Sequence, residues 1–153
     1  MSNCKKDSPL SAEESLLLDN QFCFPLYSAS NAIIRTYRPL LDKLDLTYSQ
    51  YLVMMVLWES DGISVKDIGA RLHLDSGTLT PLLKRLELKG YVVRARSESD
   101  ERVRVLKLSN EGVLLKQKAL SVPTQMKCKI PLELNELILL KQLCEKVIHT
   151  LDD

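Results

Sequence analysis

Over most of the chain the apolar residues return every three or four positions, as on a helix with one buried face. Thr47-Tyr48-Ser49-Gln50 has the S/T-x-x-E/Q form of a capping box. It opens an apolar helix through Tyr51, Leu52, Met54, Met55, Leu57 and Trp58 that stops near Asp61-Gly62. Ser64 can cap a short helix over 65–72, with Ile68 and Leu72 on one face at i, i+4. A break at His73-Leu74-Asp75 leads to a second helix over 76–89, closed by Gly90 as its C′ residue. Pro81 fits best in a first turn, so the regular helix is expected to begin nearer Thr78 than Ser76. The period then changes from 3.6 to 2, and 91–96 and 102–108 read as two strands. The polar run Ser97-Glu98-Ser99-Asp100-Glu101 joins them. Helical period returns from Ser109 to about Leu120, Pro123 and Pro131 bracket a break, and 132–151 forms a final amphipathic helix. No internal repeat or flexible linker interrupts this order.

Helix, short turn, helix and two-stranded hairpin is the order of a winged helix-turn-helix. The expected fold is mainly α with a small β-hairpin wing, a single domain over 1–153. Its DNA-binding module would span about 47–108, with dimerisation helices at about 15–45 and 110–151. The last helix carries an apolar stripe through Leu134, Leu137, Ile138, Leu140 and Leu143. Core packing within one chain explains it, and so does a dimer interface built from both termini. The second reading gains from the fact that recognition helices normally work in pairs.

The 153 residues are 45% hydrophobic and 27% charged, with a net charge of +1. That balance excludes a globally basic, histone-like protein, although it averages over faces. Segment 84–107 holds eight basic and four acidic residues, +4, whereas the remainder holds thirteen and sixteen, −3. A positive module on a slightly negative body is the footprint of a nucleic-acid binder. Ser76, Thr78 and Thr80 offer hydroxyls and free N–H groups near a helix start, and Lys84 and Arg85 lie further along that helix. Arg94 flanks the hairpin, and Arg102 sits at its tip, where a side chain could enter a minor groove. By charge alone a solvated face, with Asp100 and Glu101 pairing Arg102 and Arg104, is the better reading. The order of the elements moves the balance to double-stranded DNA. No apolar run approaches the ~18–20 residues of a membrane span, and the first fifteen residues lack a secretory pattern. A cytoplasmic protein with reduced thiols is therefore expected.

Cys4, Cys23, Cys128 and Cys144 stand 19, 105 and 16 residues apart, and the only histidines are His73 and His149. No zinc-ligand or C-x-x-C spacing exists, so neither a metal nor another cofactor is expected. Any cysteine chemistry must come from single thiols. Cys23 lies between Phe22 and Phe24, where a free cysteine usually acts as a small buried hydrophobe. Against that, Pro25 marks a helix start whose positive end would face the sulfur. Tyr27 follows one helical turn later, then Tyr37, Tyr48 and Tyr51, and phenolic donors stabilise a thiolate. On local composition the hydrophobe reading carries more weight. Cys128 has Lys127 and Lys129 beside it and lies between two prolines, which suggests an accessible, mobile thiolate or an ordinary surface cysteine. Cys4 and Cys144 carry no comparable signal.

The segments LDNQFCFPLYSAS, YRPLLDKLDLTYSQYLVMMVLWE and LHLDSGTLTPLLKRLELKGYVVRARSESDERVRVLKLSNEG resemble the MarR family of dimeric winged-helix regulators. The cysteine motif and the tyrosine-bearing segments resemble its organic hydroperoxide resistance branch, two-cysteine type. The likeness runs over about 16–115 and implies a repressor rather than an enzyme. It implies that Cys23 senses organic hydroperoxide and that Tyr37 and Tyr48 hydrogen-bond to it across a homodimer; Tyr27, at i+4, would support the sensor on spacing alone. It also implies that Cys128 of the partner subunit closes a disulfide with Cys23 and releases a palindromic operator. Asp100 and Arg102 match the wing motif, and Ser76, Thr78, Thr80 and Arg85 match the recognition helix. Pro25 departs from the family, which is expected to have Ala or Leu there. Two other readings stay open on the residues: a non-redox regulator answering a small aromatic ligand, and a thiol peroxidase using Cys23 and Cys128.

Overall fold

A computed structural model describes residues 10–97 and 102–151. Cys4, Asp100 and Glu101, all weighed above, lie outside the described residues. Two short 3-10 turns lead into helix α1 (Cys23–Leu41), which continues as a further 3-10 turn, Asp42–Leu44. Then come α2 (Tyr48–Glu59), β1 (Ile63–Ser64), α3 (Val65–Leu72), α4 (Ser76–Leu88), β2 (Val92–Arg96) and β3 (Arg104–Leu108). Helices α5 (Asn110–Ala119), α6 (Val122–Lys127) and α7 (Leu134–Leu151) complete the chain. The architecture is the mainly helical winged helix expected from the element order.

Local chemistry sets most of the boundaries. The capping box forms as read: the Gln50 N–H donates to Thr47 Oγ1 at 3.3 Å, and the Thr47 N–H donates to Gln50 Oε1 at 3.0 Å. Ser64 Oγ accepts the Asp67 N–H at 3.1 Å and starts α3. His73 ends α3 in the left-handed region at φ 52°. Gly69, within α3, lets the turn to α4 pack closely against it, because a Cβ there would lie 2.9 Å from the Leu74 carbonyl oxygen.

Three expectations need correction. Helix α4 begins at Ser76 rather than nearer Thr78, because Asp75 caps it by accepting the Thr78 N–H at 2.8 Å. Pro81 therefore sits in the second turn, where its missing N–H removes one helical bond on an exposed face. The β2–β3 hairpin of the wing forms as read, but β1 adds an unforeseen third strand, giving an antiparallel sheet in the order β1-β3-β2. Ile63 pairs with Leu106 on one side of β3, and Val92 through Arg96 pair with Leu108 through Arg104 on the other. Finally, the supposed break after Pro123 is the short helix α6, with proline in its first turn, where no N–H is needed.

The core lies where α2, α3 and α4 meet the wing. Met54, Leu57, Ile68, Leu79, Leu83, Leu86, Val92 and Leu106 are all fully buried there. The Trp58 indole N–H donates to the Gly112 carbonyl at 2.9 Å, pinning α5 to α2. Gly112 approaches the Tyr91 carbonyl so closely that a Cβ would come within 2.1 Å of it. Val122 and Met126 of α6 join the same core. Helix α7, by contrast, has no buried residue.

Candidate functional site

The buried and exposed faces of α4 separate cleanly. Leu79, Leu82, Leu83 and Leu86 point into the core, while Ser76, Thr80, Lys84 and Arg85 face solvent. Thr78 is exposed on the same helix and also takes part in its cap. Both its N–H and its Oγ1 donate to the Asp75 carboxylate, the latter at 2.9 Å, so it serves the helix cap. The Thr78 N–H, and after it the Thr78 hydroxyl, hold the Asp75 carboxyl below its usual range. Arg94 Nε donates to Glu87 Oε2 at 2.8 Å and ties β2 to α4. Arg102 is exposed in the turn before β3.

The thiol region lies elsewhere in the chain. Cys23 is the first residue of α1 and is exposed, which corrects the buried-hydrophobe reading within a single chain. Phe22 precedes it as an N-cap with no capping side chain, so side chains leave the first N–H groups of α1 unclaimed beside the sulfur. Phe22, Phe24, Leu26 and Tyr27 are all exposed around it, Phe22 at 85%.

Tyr37, Tyr48 and Tyr51 cluster at the other end of α1. The Tyr37 and Tyr48 ring centres lie 5.0 Å apart, and those of Tyr37 and Tyr51 lie 6.0 Å apart. Burial raises the pKa of all three phenols, with the neighbouring Tyr48 adding to the effect at Tyr37. They are therefore protonated hydrogen-bond donors at neutral pH. Tyr37 lies fourteen positions after Cys23 along the helix, a rise of about 21 Å. One chain thus does not bring Tyr37 to its own Cys23, whereas Tyr27 lies one turn away on the same helix.

Cys128 is exposed at the C-cap of α6, and its N–H donates to the Thr124 carbonyl at 3.2 Å. It is accessible, as expected, and sits in a helical turn. Sequence reasoning missed the space between α1 and α7, a cavity of about 250 Å³ lined by Leu26, Ile33, Tyr48, Leu140 and Cys144. Helices far apart in sequence form it, so no local motif could announce it. Among the described residues no group of His, Cys, Asp and Glu side chains could hold a metal ion. No helix among them is long and apolar enough to cross a membrane.

The family model for the transcriptional regulator SarA/Rot matches residues 35–119. The organic hydroperoxide resistance transcriptional regulator of Bacillus subtilis (strain 168) is 50% identical over 110 residues, 72% of this chain and 75% of the relative. Reduced AbfR bound to DNA superposes with a TM-score of 0.74 at 36% identity, covering 88% of this chain and 92% of that one. Disulfide-formed AbfR gives 0.62 at 35% identity, covering 89% and 96%. AbfR is a protein of Staphylococcus epidermidis. The chain belongs to the SarA/Rot family of transcriptional regulators, within the MarR group of winged-helix DNA-binding proteins.

Proposed function

We propose that this chain is a homodimeric repressor that binds a palindromic operator when reduced and releases it when organic hydroperoxide oxidises Cys23. One observation carries the reading. Helix α1 exposes Cys23 at one end and holds protonated Tyr37 about 21 Å along its axis at the other, where the Tyr48 ring of α2 packs 5.0 Å from it. Two such helices related by a two-fold axis would place each thiol against its partner's phenols. The unburied α7 supplies apolar surface for that pairing, and the peroxide-resistance relative supports the choice of signal.

The chemistry runs in two steps. The Cys23 thiolate attacks the terminal peroxide oxygen, the O–O bond breaks, and the alcohol departs after taking a proton. Cys23 is left as the sulfenic acid. The thiol of Cys128 of the partner subunit then attacks that sulfur, an S–S bond forms, and water leaves with the thiol proton. A disulfide needs Cα atoms within about 7 Å, so closure that starts from a longer separation must move α1 or α6. Such movement changes the spacing of two α4 helices that must meet half-sites about 34–36 Å apart. Ser76, Thr80, Lys84 and Arg85 would face the major groove and Arg102 the minor groove. Arg94, paired with Glu87, and Thr78, paired with Asp75, would position these groups. The better superposition on DNA-bound AbfR, reduced or overoxidised, than on disulfide-formed AbfR supports assigning the described conformation to the DNA-binding state.

The test is a titration of a labelled duplex, selected by the wild-type protein from a random pool, with and without an alkyl hydroperoxide. Wild type should release the duplex, Cys23→Ser should hold it, and Cys128→Ser should lose the disulfide-dependent release. Normal release by Cys23→Ser would overturn the redox reading. The α1–α7 cavity favours a second reading, a regulator answering a small apolar ligand there. In that case both cysteine variants would behave as wild type.

A further inference from the structure

Helix α4 ends at Leu88, and its C-cap residue, Lys89, folds back onto the segment that carries Tyr48. The Lys89 ammonium donates to Asp45 Oδ1 at 3.0 Å, to Gln50 Oε1 at 3.3 Å and to the Asp45 backbone carbonyl. Three acceptors thus use the three donors of one ammonium. Gln50 is 3% exposed and is the buried polar side chain of the described core. Its Oε1 also receives the Thr47 N–H, so the capping box of α2 and the end of α4 share one oxygen atom. Two residues further on, the Tyr91 hydroxyl donates to the Leu44 carbonyl at 3.3 Å. The end of the recognition helix therefore grips segment 44–50 at several points, and Tyr48 lies inside that segment with its ring against Tyr37.

We propose that Lys89 is a positioning residue that couples the Tyr37–Tyr48 cluster to α4, so that a shift of segment 44–50 reorients the recognition helix. A loose surface ion pair would not do this, since such pairs hold their geometry weakly. Here the buried Gln50 oxygen fixes where the ammonium must sit, and the Asp45 carbonyl fixes its direction. The joint explains how a change at the thiols could reach DNA through the protein. It rests on the redox reading only for the identity of the signal.

The test is a double-mutant cycle on full-length reduced protein, read as affinity for the duplex selected by wild type from a random pool. Tyr48→Ala should change that affinity by about five- to tenfold, and in a Lys89→Met background the same substitution should change it less than twofold. Lys89→Arg, which keeps the charge and donors, should restore part of the dependence. If Lys89→Met does not fold, Asp45→Gly takes its place, because glycine removes the side-chain acceptor and adopts the left-handed backbone at φ 52° without strain. Equal effects of Tyr48→Ala in both backgrounds, or no effect in either, would overturn the coupling. A parallel arm treats wild type and Lys89→Met with an alkyl hydroperoxide, expecting weaker release by the variant. Coupling in the cycle without release by wild type would sink the redox reading and leave the joint standing. Release by wild type with an additive cycle would do the reverse. If no duplex is enriched from the pool, both fall.

Discussion

Helices α4 and α7 are both amphipathic and leucine-rich, yet they end in opposite situations. Thirteen-residue α4 buries Leu79, Leu82, Leu83 and Leu86 against α2, α3 and the wing. Eighteen-residue α7 buries nothing, leaving Leu134, Ile138, Leu139, Leu140 and Leu143 exposed. The first helix completes its packing within its own chain and turns a polar face outward. The second leaves its apolar face exposed, and the proposed homodimer would cover it. The winged module thus packs its apolar residues within the chain, while α7 leaves its apolar face open.

Substitutions on the two helices should break this contrast in different ways, and the largest effect belongs in the finished module. Leu83→Ala empties a fully buried position and should cost about 2–5 kcal/mol in urea unfolding. Leu139→Glu on α7 should leave helical circular dichroism in place but shift sedimentation from dimer to monomer. A dimer that tolerates Leu139→Glu would show that this face serves another purpose. Next in size is Gly112→Ala, whose Cβ would press on the Tyr91 carbonyl where wing and α5 join. It should destabilise by about 1–3 kcal/mol in the same unfolding assay. Thr47→Ala removes one arm of the capping box and should cost about 1 kcal/mol.

The smallest effect concerns pH and sharpens the picture of α4 itself. Asp75 is held below its usual value of 3.8 by its bonds to Thr78, so its charged form is favoured in the folded state. Its contribution is present above that usual value and is lost as pH falls through the depressed folded value. Unfolding curves taken between neutral pH and pH 3 should therefore show a smaller loss for Asp75→Asn than for wild type. Asparagine still caps a helix but does not titrate in this range.

What could be read from the chain follows the range of the interactions. The capping residues Thr47 and Ser64, Gly90 after α4 and the alternation in the wing act over a few residues, and each is where local chemistry put it. Strand β1 escaped because two residues carry no period, and only pairing with Leu106 and Val105 makes Ile63–Ser64 a strand. The start of α4 was misread because the pull of Pro81 toward a first turn was weighed without the competing cap at Asp75. At the site, Cys23 and the tyrosines stood out through the family resemblance, while local composition alone favoured a buried hydrophobe at Cys23. Their separation along α1 required coordinates, as did the grip of Lys89 on Asp45 and Gln50. In the sequence Lys89 was one charge among eight.

The central claim is that the redox signal passes between two copies of the chain. Mixing Cys23→Ser with Cys128→Ser tests it most directly. A heterodimer of the two retains one Cys23–Cys128 couple between subunits and none within either chain. Treated with an alkyl hydroperoxide, the mixture should yield a covalent heterodimer on a non-reducing gel, with peptide mapping placing the bond at Cys23 and Cys128, and should release the duplex. If only the wild type forms the bond and the mixture, shown to have exchanged subunits, does not, the couple lies within one chain and the account is contradicted.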